Sequence, residues 1–231
     1  MPYSKSAAKK SFDARVKDLD RHARHAAYRN KKMRNEIRDL VFHSVIFHLS
    51  AALEDYVASL IGSWIHQVVA RGMRSNALPP VARSYVIFHR QKVHYANFLS
   101  TNDEARILKR LAIANEEYKL LNEELEVPKI LTPSIMLHEK KYPSSDNIKT
   151  LFNRIGVSNV FDLLGKRLEI DVELALKSFG DIRTSIAHES PPNLSMVDIE
   201  SQIGFIKSLA GAIDRLMYSH VRECSGEQCW T

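Results

Sequence analysis

Three features of this 231-residue chain predict an all-α fold, a helical bundle with a long second helix and an additional basic helix at its N-terminus. Apolar residues recur at three- and four-residue spacing along most of the chain, the signature of helices with one buried face. The apolar fraction of 45% is ordinary for a globular protein, and eight glycines are too few for a fibrous or disordered one. No segment reads convincingly as part of a sheet, and no repeat or low-complexity block interrupts the pattern.

Taken in order, Phe12, Val16 and Leu19, extended by Ala23 and Ala26, mark a short amphipathic helix rich in basic residues. The cluster Arg29, Lys31, Lys32 and Arg34 follows, and suits either an RNA backbone or the solvated face of a helix. A proline-free segment then runs from about residue 33 to 69, with Ile37, Val41, Val45, Leu49, Ala52, Tyr56, Leu60, Trp64 and Val68 at helical spacing. As one helix it spans roughly 50–55 Å at ~1.5 Å per residue, with Gly62 as a weak point where it could bend. Arg71-Gly72 ends it, and Pro79-Pro80 block its simple continuation. Residues 84–88 read as a strand or a helical turn, and an amphipathic helix is predicted over about 103–124. Pro128, Pro133 and Pro143 punctuate a loop with at most one helical turn.

The C-terminal third is more regular. Asp146 is the predicted cap of a short helix bearing Ile148, Leu151, Phe152 and Ile155, which Gly156 ends. Val160, Phe161 and Leu164 form another turn. Leu168, Val172, Ala175, Leu176, Phe179, Ile182 and Ile186 line one further helix. The sequence Ser195-Met-Val-Asp198 is a cap signature for a last helix buried along Ile199, Ile203, Ile206, Ala210, Ile213 and Met217. The reading is one helical domain over 1–221, with 71–140 as a variable region or insert and 222–231 as a polar tail.

The net charge of +6 suits a polyanionic partner without specifying one. Both cysteines, Cys224 and Cys229, fall in the last eight residues, so they build no disulfide framework, and a reducing cytoplasm is the expected compartment. Their spacing offers at most half of a zinc site. No stretch approaches ~20 uninterrupted apolar residues, and no membrane association is expected.

The chemistry concentrates at Asp181-Ile-Arg183-Thr-Ser-Ile-Ala-His188, which ends an apolar-patterned helix just before Pro191-Pro192. An arginine neutralises a phosphate and its transition-state charge, and a histidine titrating near neutrality moves a proton. On an ideal helix the two side chains point ~140° apart, so they converge only where the helix loosens at His188. The competing reading is a helix-terminal histidine beside a solvated arginine. Arg15/His22, Arg38/His43, Arg83/His89 and Arg215/His220 have similar spacing, so the surroundings decide. Helical projection puts Glu54 in the same sector as Phe47, Ile61 and Ile65, together with His43 and Ser50, whereas Asp55 falls on a polar strip with Ser44, His48 and His66. A carboxylate in an apolar sector needs a partner. Arg183 fits that need, and so does a structural pair with another arginine.

Three segments carry a family resemblance. His48-Leu-Ser-Ala-Ala-Leu-Glu54-Asp-Tyr-Val-Ala-Ser-Leu60 resembles the second-helix signature of HEPN domains of the RiboL-PSP-like branch. Asp146-Asn-Ile-Lys-Thr-Leu-Phe-Asn-Arg-Ile-Gly-Val157 is similar to the short helix preceding their motif helix, and Arg183-Thr-Ser-Ile-Ala-His188 to their Arg-x4-6-His motif. The resemblance covers roughly residues 10–220. It implies an all-α fold and a metal-independent endoribonuclease of anti-phage or toxin–antitoxin systems that needs no cofactor. Arg183 and His188 would be catalytic and Glu54 the acid that orients them. It also implies a homodimer whose two motifs share a cleft, and an antitoxin or defence protein as partner. The sequence departs from the family pattern at Thr184, often Asn, Asp or His, and at Glu189, often glycine. These departures keep open a non-catalytic module that binds RNA or protein, and beside it a purely structural helical domain.

Overall fold

A computed structural model describes residues 2–29, 34–113, 116–139, 143–188 and 192–230. Among them are nine α-helices and no strand. They are α1 (Ala7–Arg24), α2 (Asn35–Ala70), α3 (Pro80–Thr101), α4 (Glu104–Ile113), α5 (Pro133–Met136), α6 (Ser145–Arg154), α7 (Val160–Leu168), α8 (Val172–Ala187) and α9 (Met196–Ser225). A π-helical turn, His25–Arg29, prolongs α1. The chain divides into two compact units, one of residues 1–60, 140–149 and 159–217, the other of residues 61–139, 150–158 and 218–231. Neither coincides with 71–140 or breaks at 221.

In the first unit α1 starts where the Ser6 hydroxyl accepts the Lys9 N–H at 2.9 Å, and it buries Phe12, Val16 and Ala23. The first half of α2 buries Phe42, Val45, Ile46, Leu49, Leu53, Tyr56 and Val57, while Ile37 in its first turn stays about half exposed. The predicted face of α9 is buried at every position from Ile199 to Met217. Its start is a reciprocal cap, in which the Asp198 carboxylate accepts from Ser195 N–H at 2.8 Å and the Ser195 hydroxyl accepts from Asp198 N–H at 3.2 Å. Between α1 and α9 lies a polar node that the sequence did not announce. Asp214, fully buried, accepts from the Tyr3 hydroxyl (2.7 Å), the Ser6 N–H (3.1 Å), the Ser6 hydroxyl (2.5 Å) and the Tyr56 hydroxyl (3.1 Å). Burial and this carboxylate push the ionisation of Tyr3 and Tyr56 well upward, so both remain hydrogen-bond donors.

In the second unit, the second half of α2 buries Ile61, Trp64, Ile65 and Val68. α2 continues through Gly62 as α-helix. A Cβ built there would lie 3.5 Å from Pro133 of α5, an ordinary van der Waals contact. Gly72, at φ +59°, ends α2 as the sequence predicted. Pro79-Pro80 start α3 instead of only blocking α2, because a proline in the first helical turn lacks a donor that would be unpaired anyway. The ambiguous residues 84–88 are therefore helical. The helix predicted over 103–124 is shorter: α4 stops at Ile113, and Glu117–Leu121 form a separate 3-10 turn that buries Leu120. α2 is long and apolar enough to cross a membrane, but 56% of its most apolar window is buried within the protein, a property shared by core helices.

Three local expectations are corrected. Ser144, not Asp146, accepts the first free N–H of α6 (from Asn147, 3.2 Å), and Asp146 sits in the first turn, where its charge favours the helix dipole. Leu168 belongs to α7, which Glu169 ends in left-handed backbone at φ +57°, and α8 begins afresh with Asp171 accepting from Leu174 N–H at 2.9 Å. The polar tail is packed: α9 continues to Ser225, Gly226 turns the chain at φ +84°, Cys229 is 1% exposed, and the Trp230 ring lies 5.5 Å from Tyr218. Burial raises the pKa of both cysteine thiols, so neither is a poised thiolate. No group of three or more metal-binding side chains occurs among the described residues.

Candidate functional site

The motif helix α8 is anchored at its N-terminal end. Val172, Leu176 and Phe179 are buried, while Ile182 and Ile186 are only half-buried. At ~1.5–3 kcal/mol for each fully buried large side chain, the first two turns hold the helix and the last turn is left near solvent. Arg183 and His188 sit on that last turn and its end.

His188 is the C-terminal cap of α8. Its backbone is extended (φ −100°, ψ 175°), and its N–H donates to the Ser185 carbonyl at 3.3 Å. The helical screw therefore stops one residue before it, and the ~140° divergence of an ideal helix no longer fixes its direction. The imidazole is exposed. Arg183 is half-buried, with its guanidinium 5.2 Å from the centroid of the Phe47 ring on α2, within cation–π range. Thr184 is exposed and Glu189 lies outside the described residues.

A second tie joins the same region to α2. The His43 Nε2–H donates to the Pro192 carbonyl at 3.0 Å, which fixes the tautomer because a carbonyl can only accept. His43 and Phe47 are four residues apart on α2, hence neighbours on one face. The two flanks of the Arg–His segment thus meet adjacent turns of one helix. Glu54, half-buried, follows Phe47 by seven residues, which places it on the same side about 10 Å further along the axis. Both Arg183 and Glu54 are engaged in further interactions. Asp55, by contrast, faces solvent and pairs with Arg15.

The other arginines with a histidine at similar spacing have structural contacts: Arg15 with Asp55, Arg38 with Asp39, Arg83 with Glu123 at 2.7 Å, and Arg215 over the Tyr3 ring at 4.9 Å. Of the basic cluster, Arg34 is exposed, while Lys31, Lys32 and the side chain of Arg29 lie outside the described residues. Sequence reasoning placed Phe47 and His43 in the sector of Glu54 but missed their contacts, a guanidinium platform and a backbone tether. The 43–47–54 spacing held that signal.

A helical protein with an Arg–His pair at the free end of a motif helix, set against a long second helix, is the class that fold and site define. The model of the RiboL-PSP-HEPN family matches residues 11–219, and the chain belongs to that family. Searches of curated proteins and of solved structures gave no significant match.

Proposed function

We propose that the protein is a metal-independent endoribonuclease in which Arg183 clamps the scissile phosphate, His188 transfers the proton and Glu54 orients the arginine. The 2′-hydroxyl attacks the adjacent phosphorus, its proton is taken up, and the 5′-oxygen leaves with a proton, giving a 2′,3′-cyclic phosphate and a free 5′-hydroxyl. DNA lacks the nucleophile and is not cut. One observation carries this reading: the segment is tied to the α2 face at Arg183–Phe47 and at Pro192–His43, while the imidazole between those ties stays exposed. A held cation and, five residues on, a reachable proton carrier are the two groups phosphodiester transfer requires. A homodimer with two such motifs in one cleft, acting in anti-phage defence or with an antitoxin, completes the proposal.

The test is incubation with total RNA in chelator, wild type beside His188→Ala, Arg183→Ala and Arg183→Lys. Each substitution should lower cleavage by about a hundredfold or more. Lysine should not rescue it, because a point charge lacks the planar fork and its stacking on Phe47. Undiminished cleavage in the alanine variants would reject the assigned site. The acid at Glu189, next to the imidazole in sequence, favours a second reading as an RNA-binding module without catalysis. RNA retention with no cleavage by wild type would select it.

A further inference from the structure

The hairpin of α3 and α4 in the second unit carries charge that the fold does not use. Val86, Arg90, His94, Asn97 and Thr101 lie within about 40° of one line along α3. Val86 is buried, and beyond it the line turns polar. Asn102, in left-handed backbone at φ 49°, reverses the chain, and Asp103 caps α4 by accepting the Arg106 N–H at 3.0 Å. Arg106, Ile107 and Arg110 of α4 then face His94, Phe98 and Thr101 of α3 along a groove of about 10 Å³, room for little more than a water. The cations between residues 90 and 113 are Arg90, Lys92, Arg106, Lys109 and Arg110. None of them forms an ion pair among the described residues, whereas Arg74 and Arg83, shortly before them, both do. The Arg90 Nε and the His94 Nδ1, one turn apart, are buried without a hydrogen-bond partner among the described residues. The neighbouring acids are already placed: Asp103 is the cap, Glu104 sits in the first turn of α4, Glu116 pairs with Lys119, and Glu117 is buried.

We propose that this hairpin is a recognition arm that grips single-stranded RNA outside the Arg–His segment, with its cations on the phosphates and its aromatic rings against the bases. That the polymer is RNA rests on the nuclease reading; that it is single-stranded rests on the hairpin. Cations gathered along one groove repel each other until an anion lies between them, and a guanidinium takes phosphate oxygens in pairs. An acceptor oxygen there also satisfies the donors that the fold leaves orphaned. The groove is too small for a nucleotide, so the ligand lies along its rim, as a polymer does. Phe98 lines the groove, and Tyr95, 54% exposed, lies about 60° further round α3, so rings flank the cations on one side. Stacking on such rings accepts any base but needs an unpaired one, which a duplex hides. An acidic peptide would use the cations and leave the rings idle.

Anisotropy of a labelled 2′-O-methyl RNA of about 15 nucleotides tests it on the full chain, because that probe keeps phosphates and bases and lacks the nucleophile. The variants are Arg106→Ala/Arg110→Ala, Tyr95→Ala and, as an equal loss of charge elsewhere, Lys166→Ala/Arg167→Ala on α7. All these side chains are exposed except the half-buried Arg110, and unchanged circular dichroism shows that each variant folds. Wild type should bind the single strand at least about tenfold more tightly than a duplex of the same length. The Arg106/Arg110 variant should lose at least about tenfold and flatten the slope of log affinity against log salt by about 1.4, for two phosphate contacts at ~0.7 each. Tyr95→Ala should lose about fivefold, and the α7 control less than about threefold. Absent binding, equal binding of duplex, a hairpin variant that binds like wild type, or a control that loses as much would each overturn the proposal. Displacement by polyglutamate as readily as by unlabelled RNA would overturn it in favour of an acidic protein partner. Probe binding that meets these expectations, with no cleavage of total RNA, would sink the nuclease reading and leave the arm standing.

Discussion

Replacing Asp214 with alanine tests the polar node beneath the first unit. Four donors converge on this carboxylate, and they fare differently once it is gone. The Tyr3 hydroxyl is only partly buried and turns to water at little cost. The Tyr56 hydroxyl keeps its bond to the Ala210 carbonyl at 3.0 Å. The N–H and hydroxyl of Ser6 are left, in a residue 1% exposed, and each orphaned donor costs about 1–3 kcal/mol. Relief of the desolvation of the carboxylate itself offsets part of that. The net loss is about 3 kcal/mol, which in a chain of this length lowers the melting temperature by roughly 6–12 °C. Thermal unfolding followed by circular dichroism at pH 7 reads it directly. Tyr56→Phe, which removes a hydroxyl that shares its proton between two acceptors, should cost about 1 kcal/mol or less. An Asp214→Ala protein melting within about 2 °C of wild type would refute the reasoning, as would a Tyr56→Phe protein equally destabilised.

Two glycines should respond in opposite ways. At Gly156, φ +88° and a Cβ position 2.7 Å from the Pro79 ring make alanine costly by about 2–4 kcal/mol, whereas Gly62→Ala meets Pro133 at an ordinary 3.5 Å and should be neutral or stabilise α2 by up to about 1 kcal/mol; comparing the two melting temperatures checks this. His220 is buried against Trp64, with ring centroids 5.6 Å apart, and burial lowers its pKa below the ordinary value. The unfolded chain then binds the extra proton first, so stability is full above about pH 6.5 and falls as the pH drops towards the folded pKa. His220→Phe keeps an aromatic ring, removes an Nε2 that has no partner among the described residues together with the bond to the Ile155 backbone, and should lose less melting temperature between pH 7.5 and 5, with part of the slope remaining because burial shifts His89 the same way. An unchanged slope would count against the assignment.

The helices legible in the sequence were those whose pattern and punctuation agree. Every predicted core position of α9 is buried, and its Ser195–Asp198 box forms, because capping and periodicity are both local. α3 was hidden by Pro79-Pro80, a pair that breaks one helix and nucleates the next. The joint at Glu169 escaped notice because left-handed backbone is rare in glutamate and leaves no compositional mark. The Arg–His pair and Glu54 stood out through spacing and sector. The contacts of Arg183 with Phe47 and of His43 with Pro192 depend on which helices meet, and no window of sequence contains that. Asp214 was invisible for the same reason, since its donors lie up to 211 residues away.

The bond between His43 and the Pro192 carbonyl, with the reciprocal cap at Ser195 close behind it, fixes where the chain enters α9. Pro192, four residues after His188 in the sequence, is thereby held to α2. Lengthening the chain between Pro192 and Ser195 would part the tether to α2 from the cap of α9, which now lie three residues apart. The same insertion placed within a helix-to-helix joint elsewhere would leave their spacing untouched.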